Sequence, residues 1–339
     1  MRRGLWLVLL VAGGCDTLSG NYYAGPDAAV ADLYGIDFAG SGDGGGPALA
    51  WSLRAPLPLP RQDSAAVELN GRLYLIGGYD RSQVVVATVD VYDPPSGTWR
   101  AGVPMPGPLL SPNAAVVNGK IYVCGGLADG SGLASGVVYG YDPQTKMWTE
   151  RTSMPAGSER GAAMTAAIGG RVYVAGGFRG GAAVVDFSYY DPLADAWTAQ
   201  PPLPAARDHG MGTQLDDVFY AIGGRNNLLA NNTARVDSFD PRTAAWEPRT
   251  ALPTARSAAA VGVLDGQIVV AGGEVTGSPL GVTNRTDRFD PTTSLWSTLP
   301  PLRTARHAAG ATVGFSFVVA GGADRQGFGA LSTVEALGL

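Results

Sequence analysis

Apolar and polar positions along this chain fall into short strand-length runs separated by turn residues. One kind of run is apolar and rich in β-formers, as in Leu73-Tyr74-Leu75-Ile76, Val172-Tyr173-Val174-Ala175 and Ile268-Val269-Val270-Ala271, and each ends at a Gly-Gly pair. A run of small apolar residues precedes it, as at 64–69 and 258–264. Between the two lie Asn70-Gly71, Asn118-Gly119, Gly169-Gly170, Asp216-Asp217 or Asp265-Gly266. Such pairs accept the positive φ angles of a tight hairpin, so each predicts two antiparallel strands. A loop of variable length then leads to a third strand, such as 89–92. Asp-Pro opens the next turn, because proline presets φ and aspartate bonds the backbone beyond it. A fourth strand carries a tryptophan, and Pro-rich segments such as 104–108 and 201–204 cross to the next unit.

The pattern repeats in register. Gly-Gly pairs start at 77, 125, 176, 223, 272 and 321, spaced 48, 51, 47, 49 and 49 residues apart. Tryptophans fall at 51, 99, 148, 197, 246 and 296, and only Trp6 lies outside the register. An aromatic-Asp-Pro triplet begins at Tyr92, Tyr141, Tyr190, Phe239 and Phe289, always seven residues before a tryptophan. A four-stranded sheet of this size cannot bury both faces alone, whereas sheets stacked around an axis can. The last unit supplies three strands, near 308–313, 315–320 and 332–337, and has no Asp-Pro or tryptophan of its own. The strand at Trp51 is therefore expected to complete it. The fold class predicted is all-β, a six-bladed β-propeller over 48–339 closed by an N-terminal strand, which leaves no open sheet edge between first and last blades. The tryptophans and the aromatics before Asp-Pro are expected to fill the space between blades.

Gly-Gly after an apolar strand, then an aromatic, then a tryptophan, at a period near 50, resembles the kelch repeat. The resemblance covers roughly residues 48 to 339, with Gly-Gly in all six units. Kelch proteins include galactose oxidase, whose central domain shares this architecture, and a periplasmic six-bladed sialic acid mutarotase. The copper site of the former uses two tyrosines, two histidines and a cysteine-linked tyrosine, and no comparable motif is visible here. The latter implies a carbohydrate site built from an acid and arginines, with Glu274 in the acid's place by analogy.

The N-terminus has a different character. Arg2 and Arg3 precede an apolar run from Leu5 to Ala12, and Gly13 and Gly14 precede Cys15. The run is too short to span a bilayer and has a signal-peptide layout. Val11-Ala12-Gly13-Gly14-Cys15 resembles a bacterial lipobox, with Ala12 where leucine is usual. The resemblance implies a leader over 1–14 and lipidation at Cys15, hence a membrane-anchored lipoprotein of the cell envelope. The segment 15–47 contains Gly-Ser-Gly-Asp-Gly-Gly-Gly at 40–46 and reads as a flexible tether. With Cys15 lipidated, Cys124 has no disulfide partner and reads as an inert core thiol.

The net charge of -5 gives no basic face, so nucleic acid is not an expected partner. HExxH, CxxC, P-loop and GxSxG motifs are all missing, and the two histidines, His209 and His307, fall in different blades. No cofactor or metal is expected. An arginine recurs before the first strand of five units: Arg61, Arg160, Arg207, Arg256 and Arg306, with Leu109 in that register of the second unit. Two readings stand. The arginines ring the channel mouth and bind an anion, or they bond neighbouring carbonyls and acids as architecture. Residues after each Gly-Gly differ between units, among them Tyr79, Arg225 and Glu274. A repeat that holds its scaffold constant varies what faces a partner, so these loops are the candidate binding face. The expected function is non-catalytic binding of a protein or glycan partner. The alternative is a carbohydrate-active enzyme such as a mutarotase-like epimerase.

Overall fold

The computed structural model describes residues 49–338. The leader at 1–14, Cys15 and the tether at 15–47 lie outside the described residues. Six four-stranded antiparallel sheets make up the propeller. From the axis outward, blade 1 is Ala65–Leu69, Arg72–Ile76, Val89–Asp93 and Thr98–Ala101; blade 2 is Ala114–Val117, Lys120–Leu127, Ala134–Asp142 and Met147–Arg151. Blade 3 is Met164–Ile168, Arg171–Ala175, Phe187–Asp191 and Ala196–Ala199; blade 4 is Met211–Leu215, Val218–Ile222, Val236–Asp240 and Ala245–Arg249. Blade 5 is Ala260–Leu264, Gln267–Ala271, Thr286–Asp290 and Leu295–Leu299. Blade 6 takes His307–Val313, Ser316–Ala323 and Val334–Gly338 from the C-terminus and Ala50–Arg54 from the N-terminus. Trp51 pairs with Leu337 in that outer ladder, so the two ends of the described chain close the circle. The innermost strand of blade 1 packs on those of blades 2 and 6, and each blade follows suit.

Local chemistry explains each blade. The predicted hairpin residues take the left-handed backbone: Asn70 at φ 52° and Gly71 at 76°, Asn118 at 50° and Gly119 at 72°. The Asp-Pro turns are pinned by their aspartates. Gln144 N–H donates to Asp142, Arg242 N–H to Asp240 and Thr292 N–H to Asp290, each at 2.8 Å. Two residues before each tryptophan of blades 1 to 5 the backbone turns left-handed again, at Gly97, Lys146, Asp195, Ala244 and Ser294.

The aromatics divide their work between the blade interior and the joints. Those before Asp-Pro are buried, and each packs on its own blade's tryptophan, at 5.1 Å between the Tyr92 and Trp99 ring centroids and 5.2 Å between Phe289 and Trp296. The tryptophans of blades 1 to 5 are only half-buried. Their indole N–H groups reach the crossover that enters the blade. Trp99 donates to Ala55 O, Trp148 to Val103 O, Trp197 to Thr152 O, Trp246 to Pro201 O, Trp296 to Thr250 O and Trp51 to Pro300 O. The tryptophan is thus a strap across the joint as well as a packing group.

Gly-Gly sits where one blade meets the next. At Gly272 a Cβ would overlap the Arg306 carbonyl oxygen, and the neighbouring Gly273 N–H donates to that same oxygen at 2.9 Å. Only glycine allows that approach and the φ of +68°. Cys124 is fully buried, and burial pushes its thiol pKa far up. No helix among the described residues is long and apolar enough to cross a membrane.

Candidate functional site

The five register arginines do not face the channel. All are buried, each side chain running into its own blade, and none lines the axial cavity or its mouth. Arg61 donates to Asp90 at 2.6 Å, Arg207 to Asp237 at 2.7 Å, and Arg256 to Asp287 at 2.8 Å. Arg306 pairs with Glu335 at 3.1 Å. Each also reaches a main-chain carbonyl, for instance Leu75 O from Arg61 and Val270 O from Arg256. The expectation that Arg61, Arg160, Arg207, Arg256 and Arg306 ring the mouth and bind an anion is therefore corrected: their charge is spent inside the blades. Burial pulls the guanidinium of Arg306 down to about 10, opposed by Glu335, so it stays charged at neutral pH. At Asp90 burial outweighs the attraction of Arg61 and raises the carboxyl pKa.

The acids share a register of their own, two residues before the buried aromatic or, in blade 6, before Leu337. Blade 3 has Ser188 there, and Arg160 donates to its hydroxyl at 2.8 Å. Blade 2 has Tyr139, opposite the Leu109 that replaces the arginine, and both are buried in one apolar cluster. Pair and replacement change together, as expected of a structural strut.

The mouth is built by the residues one and two positions after those arginines. The first pairs across to the residue after Gly-Gly: Gln62 with Tyr79, Leu110 with Leu127, Asp208 with Arg225, Ser257 with Glu274 and His307 with Ala323. The second turns left-handed, at Asp63 (φ 53°), Ser111 (44°), Ala162 (51°), His209 (49°) and Ala258 (50°). These five are linked around the axis by main-chain hydrogen bonds. Ser111 N–H donates to Asp63 O, Ala162 to Ser111, His209 to Ala162 and Ala258 to His209, at 2.6–2.9 Å. Non-glycine residues held left-handed store strain, and here the circumferential bonds hold them there.

Inside this rim an axial channel of about 540 Å³ is walled largely by alanine and glycine. Above it a mouth cavity of about 260 Å³ is lined by Asp63, His209, Arg225, Glu274 and His307, with Leu228, Leu229 and Gln326 at its edge. Loops of blades 4, 5 and 6 lean together there: Asn232 Nδ2 donates to Glu274 O at 2.8 Å and Gln326 N–H to Leu280 O at 2.7 Å.

The polar groups at the mouth form a chain. Arg225 pairs with Glu274 and lies 3.4 Å from Asp208. Asp208 is buried, accepts from the Asn227 N–H at 2.9 Å and holds His209 Nδ1 at 2.5 Å. Burial alone raises the Asp208 pKa, but the His209 contact, the Asn227 N–H and Arg225 outweigh it and hold the carboxyl below its ordinary value. The His307 ring lies 3.9 Å from Asp63 of the neighbouring blade 1 and makes no hydrogen bond to a described residue. Among the described residues no group of three or more His, Cys, Asp or Glu is arranged to hold a metal ion.

Of the loop residues singled out from sequence, Arg225 and Glu274 come together at the mouth. Tyr79 does not join them. It packs on Phe328 at 5.2 Å, and burial, then Asp63 and Asp129, raise its hydroxyl pKa. Sequence reasoning missed Asp63 and Asp208, and considered His209 and His307 only as metal ligands or as the base of a serine or cysteine triad. The signal was present as the two positions following the register arginine, which vary from unit to unit as the loops do.

Comparison with known proteins follows the same lines. The curated relatives include the Kelch-like protein terF of Aspergillus terreus, 34% identical over 40% of this chain and 31% of that protein. Alpha-scruin of Limulus polyphemus is 29% identical over 66% of this chain and 26% of its own length. The chain thus spans about a third or less of these relatives. A solved structure titled "Structure of YjhT" superposes with a TM-score of 0.69 at 17% identity, over 82% of this chain and 95% of that one, a likeness of fold alone. The Kelch motif model matches residues 255–303. With the KLHDC2/KLHL20/DRC7 Kelch-repeats domain model matching residues 63–273, most of the propeller, the chain belongs to the kelch-repeat family.

Proposed function

We propose that this kelch propeller is a non-catalytic binding module that takes a protein or glycan partner at the mouth built by blades 1, 4, 5 and 6, held at the cell envelope by a lipid on Cys15. One observation supports the binding site above others: strand, strap and strut chemistry recurs from blade to blade, while ionisable side chains depart from the repeat where they line this mouth. The lipid anchor rests on the sequence from Arg2 to Cys15. Leu228 stands 65% exposed at the edge, so Leu228→Arg leaves the fold intact. Crosslinking and mass spectrometry on intact cells should recover a partner with the native chain and lose it with Leu228→Arg. Equal recovery would place the interface elsewhere. Cys15→Ala should move the chain from the membrane fraction to the soluble one.

A second reading, an epimerase or mutarotase acting on a sugar, draws on the Asp208–His209 contact, in which a buried carboxylate orients an imidazole for proton transfer. Glu274 is committed to Arg225, which leaves His209 as the acid–base group of this reading. Anomer exchange of acidic and neutral sugars followed by NMR should then be accelerated by the native chain and not by His209→Asn. Flat rates across the panel retire the enzyme.

A further inference from the structure

We propose that the mouth receives a protonated primary amine, the side-chain ammonium of a lysine on a protein partner. The inference rests on the binding module proposed above and names the group it recognises.

The charge around the mouth carries the first step. Two carboxylates line it, those of Asp63 and Glu274, and a third, Asp208, is buried behind Arg225 and His209, against one guanidinium, Arg225. That guanidinium is already engaged with Glu274, and the five register arginines are sealed in the blades. Among the described residues no other arginine and no lysine lines the mouth. Asp63 lines the cavity with its side chain 20% exposed, and its hydrogen-bonding partner is the neutral amide of Gln62 at 3.1 Å. The residual field is negative and draws in positive charge.

Unsatisfied acceptors carry the second step. The neutral His209 ring that turns its Nδ1–H to Asp208 presents Nε2 as an acceptor. His307 is 4% exposed, lines the same cavity and has no hydrogen-bond partner among the described residues. Its ring faces the cavity, where a ligand can meet it. Asp63, His209 and His307 together offer a carboxylate and two ring nitrogens around one cavity, and an ammonium has three N–H bonds to give.

Shape selects the source of the amine. The edge carries Leu228, 65% exposed, with Leu229 beside it, and the channel below is walled largely by alanine and glycine. A lysine stem lies along such an edge with its charged tip inside. An amino sugar would bring hydroxyls against it.

The test uses the purified full-length chain titrated by NMR with Nα-acetyl-lysine N-methylamide, glucosamine and Nα-acetyl-glutamate N-methylamide. The lysine probe should bind, and more weakly as sodium chloride is raised. Asp63→Asn should weaken it about tenfold or more, the loss of one charge-assisted contact. Asparagine tolerates the left-handed backbone at 63, so an unchanged melting curve is expected. His209→Asn, matched in the same way, should weaken the probe too. Tighter binding of the glutamate probe, preference for glucosamine, or indifference to Asp63→Asn overturns the proposal while the mouth remains a binding site. Silence from every probe, with partner capture lost in Leu228→Arg, also overturns it and leaves the module reading standing. If capture survives Leu228→Arg as well, both readings fall.

Discussion

The strut of blade 5 gives the sharpest test of why these arginines recur. Arg256 and Asp287 are both fully buried and 2.8 Å apart, and Arg285 also holds Asp287, at 2.7 Å. Asp287→Ala leaves the Arg256 guanidinium buried without its counter-charge, with Val270 O at 3.3 Å as its remaining partner. Removing one member of a buried pair costs about 3–5 kcal/mol. Removing both costs far less when apolar groups fill the space, and this protein already contains that solution: Leu109 and Tyr139 occupy the two registers in blade 2. The double variant Arg256→Leu/Asp287→Tyr should therefore regain most of what Asp287→Ala loses. Urea titration followed by tryptophan fluorescence reads both, as shifts in midpoint at constant slope. A loss below about 1 kcal/mol for Asp287→Ala, where the buried-pair figure applies, would refute the strut. So would a double variant weaker than the single one.

Three further outcomes follow from the same geometry. The turn carboxyls of Asp93, Asp142, Asp191, Asp240 and Asp290 all have lowered pKa values, with hydrogen bonds from Ser96, Lys120, the Ala194 N–H, Arg242 and the Thr292 N–H respectively as the largest causes. Their contribution to stability is present above the unfolded carboxyl value and is lost as pH falls through the folded one. Melting temperature should thus drop below about pH 4, the unfolded carboxyl range, and replacing all five by asparagine should flatten that drop. Gly272→Ala, which would overlap the Arg306 carbonyl oxygen, should abolish soluble expression. Gly71→Ala, at φ +76° with open space around it, should cost only about 1 kcal/mol by urea titration. Trp246→Phe keeps the ring packing but removes the bond to Pro201 O, 2.9 Å long, and should cost about 1 kcal/mol in the same assay.

The propeller was legible because its markers are backbone requirements. A hairpin needs Asn70-Gly71, a blade joint needs Gly272-Gly273, and an Asp-Pro turn needs its aspartate, so each leaves a residue type at a fixed spacing. Closure was legible for the same reason, since Trp51 stands in a register that the last unit lacks. The arginines left two readings open because recurrence and surface charge look alike in sequence, and the structure bears out the architectural one. What separates them is the acid register on the third strand, Asp90, Asp237, Asp287 and Glu335, and its joint replacement with the arginine in blade 2.

The mouth was hidden by the opposite property. Asp63, Asp208, His209 and His307 come from three blades and share only an offset from the arginine, so no motif gathers them. The offset is nonetheless fixed by physics. A residue two positions past the strut must turn left-handed so that its N–H reaches the preceding blade and its carbonyl the next, as at His209. That turn puts the side chain at the rim, whatever its chemistry. Ala162 and Ala258 fill the position without adding function, whereas Asp63 and His209 use it to face the cavity. In a closed ring of repeats, the scaffold decides where a side chain will stand, and the departures from the repeat at those places decide what it can hold.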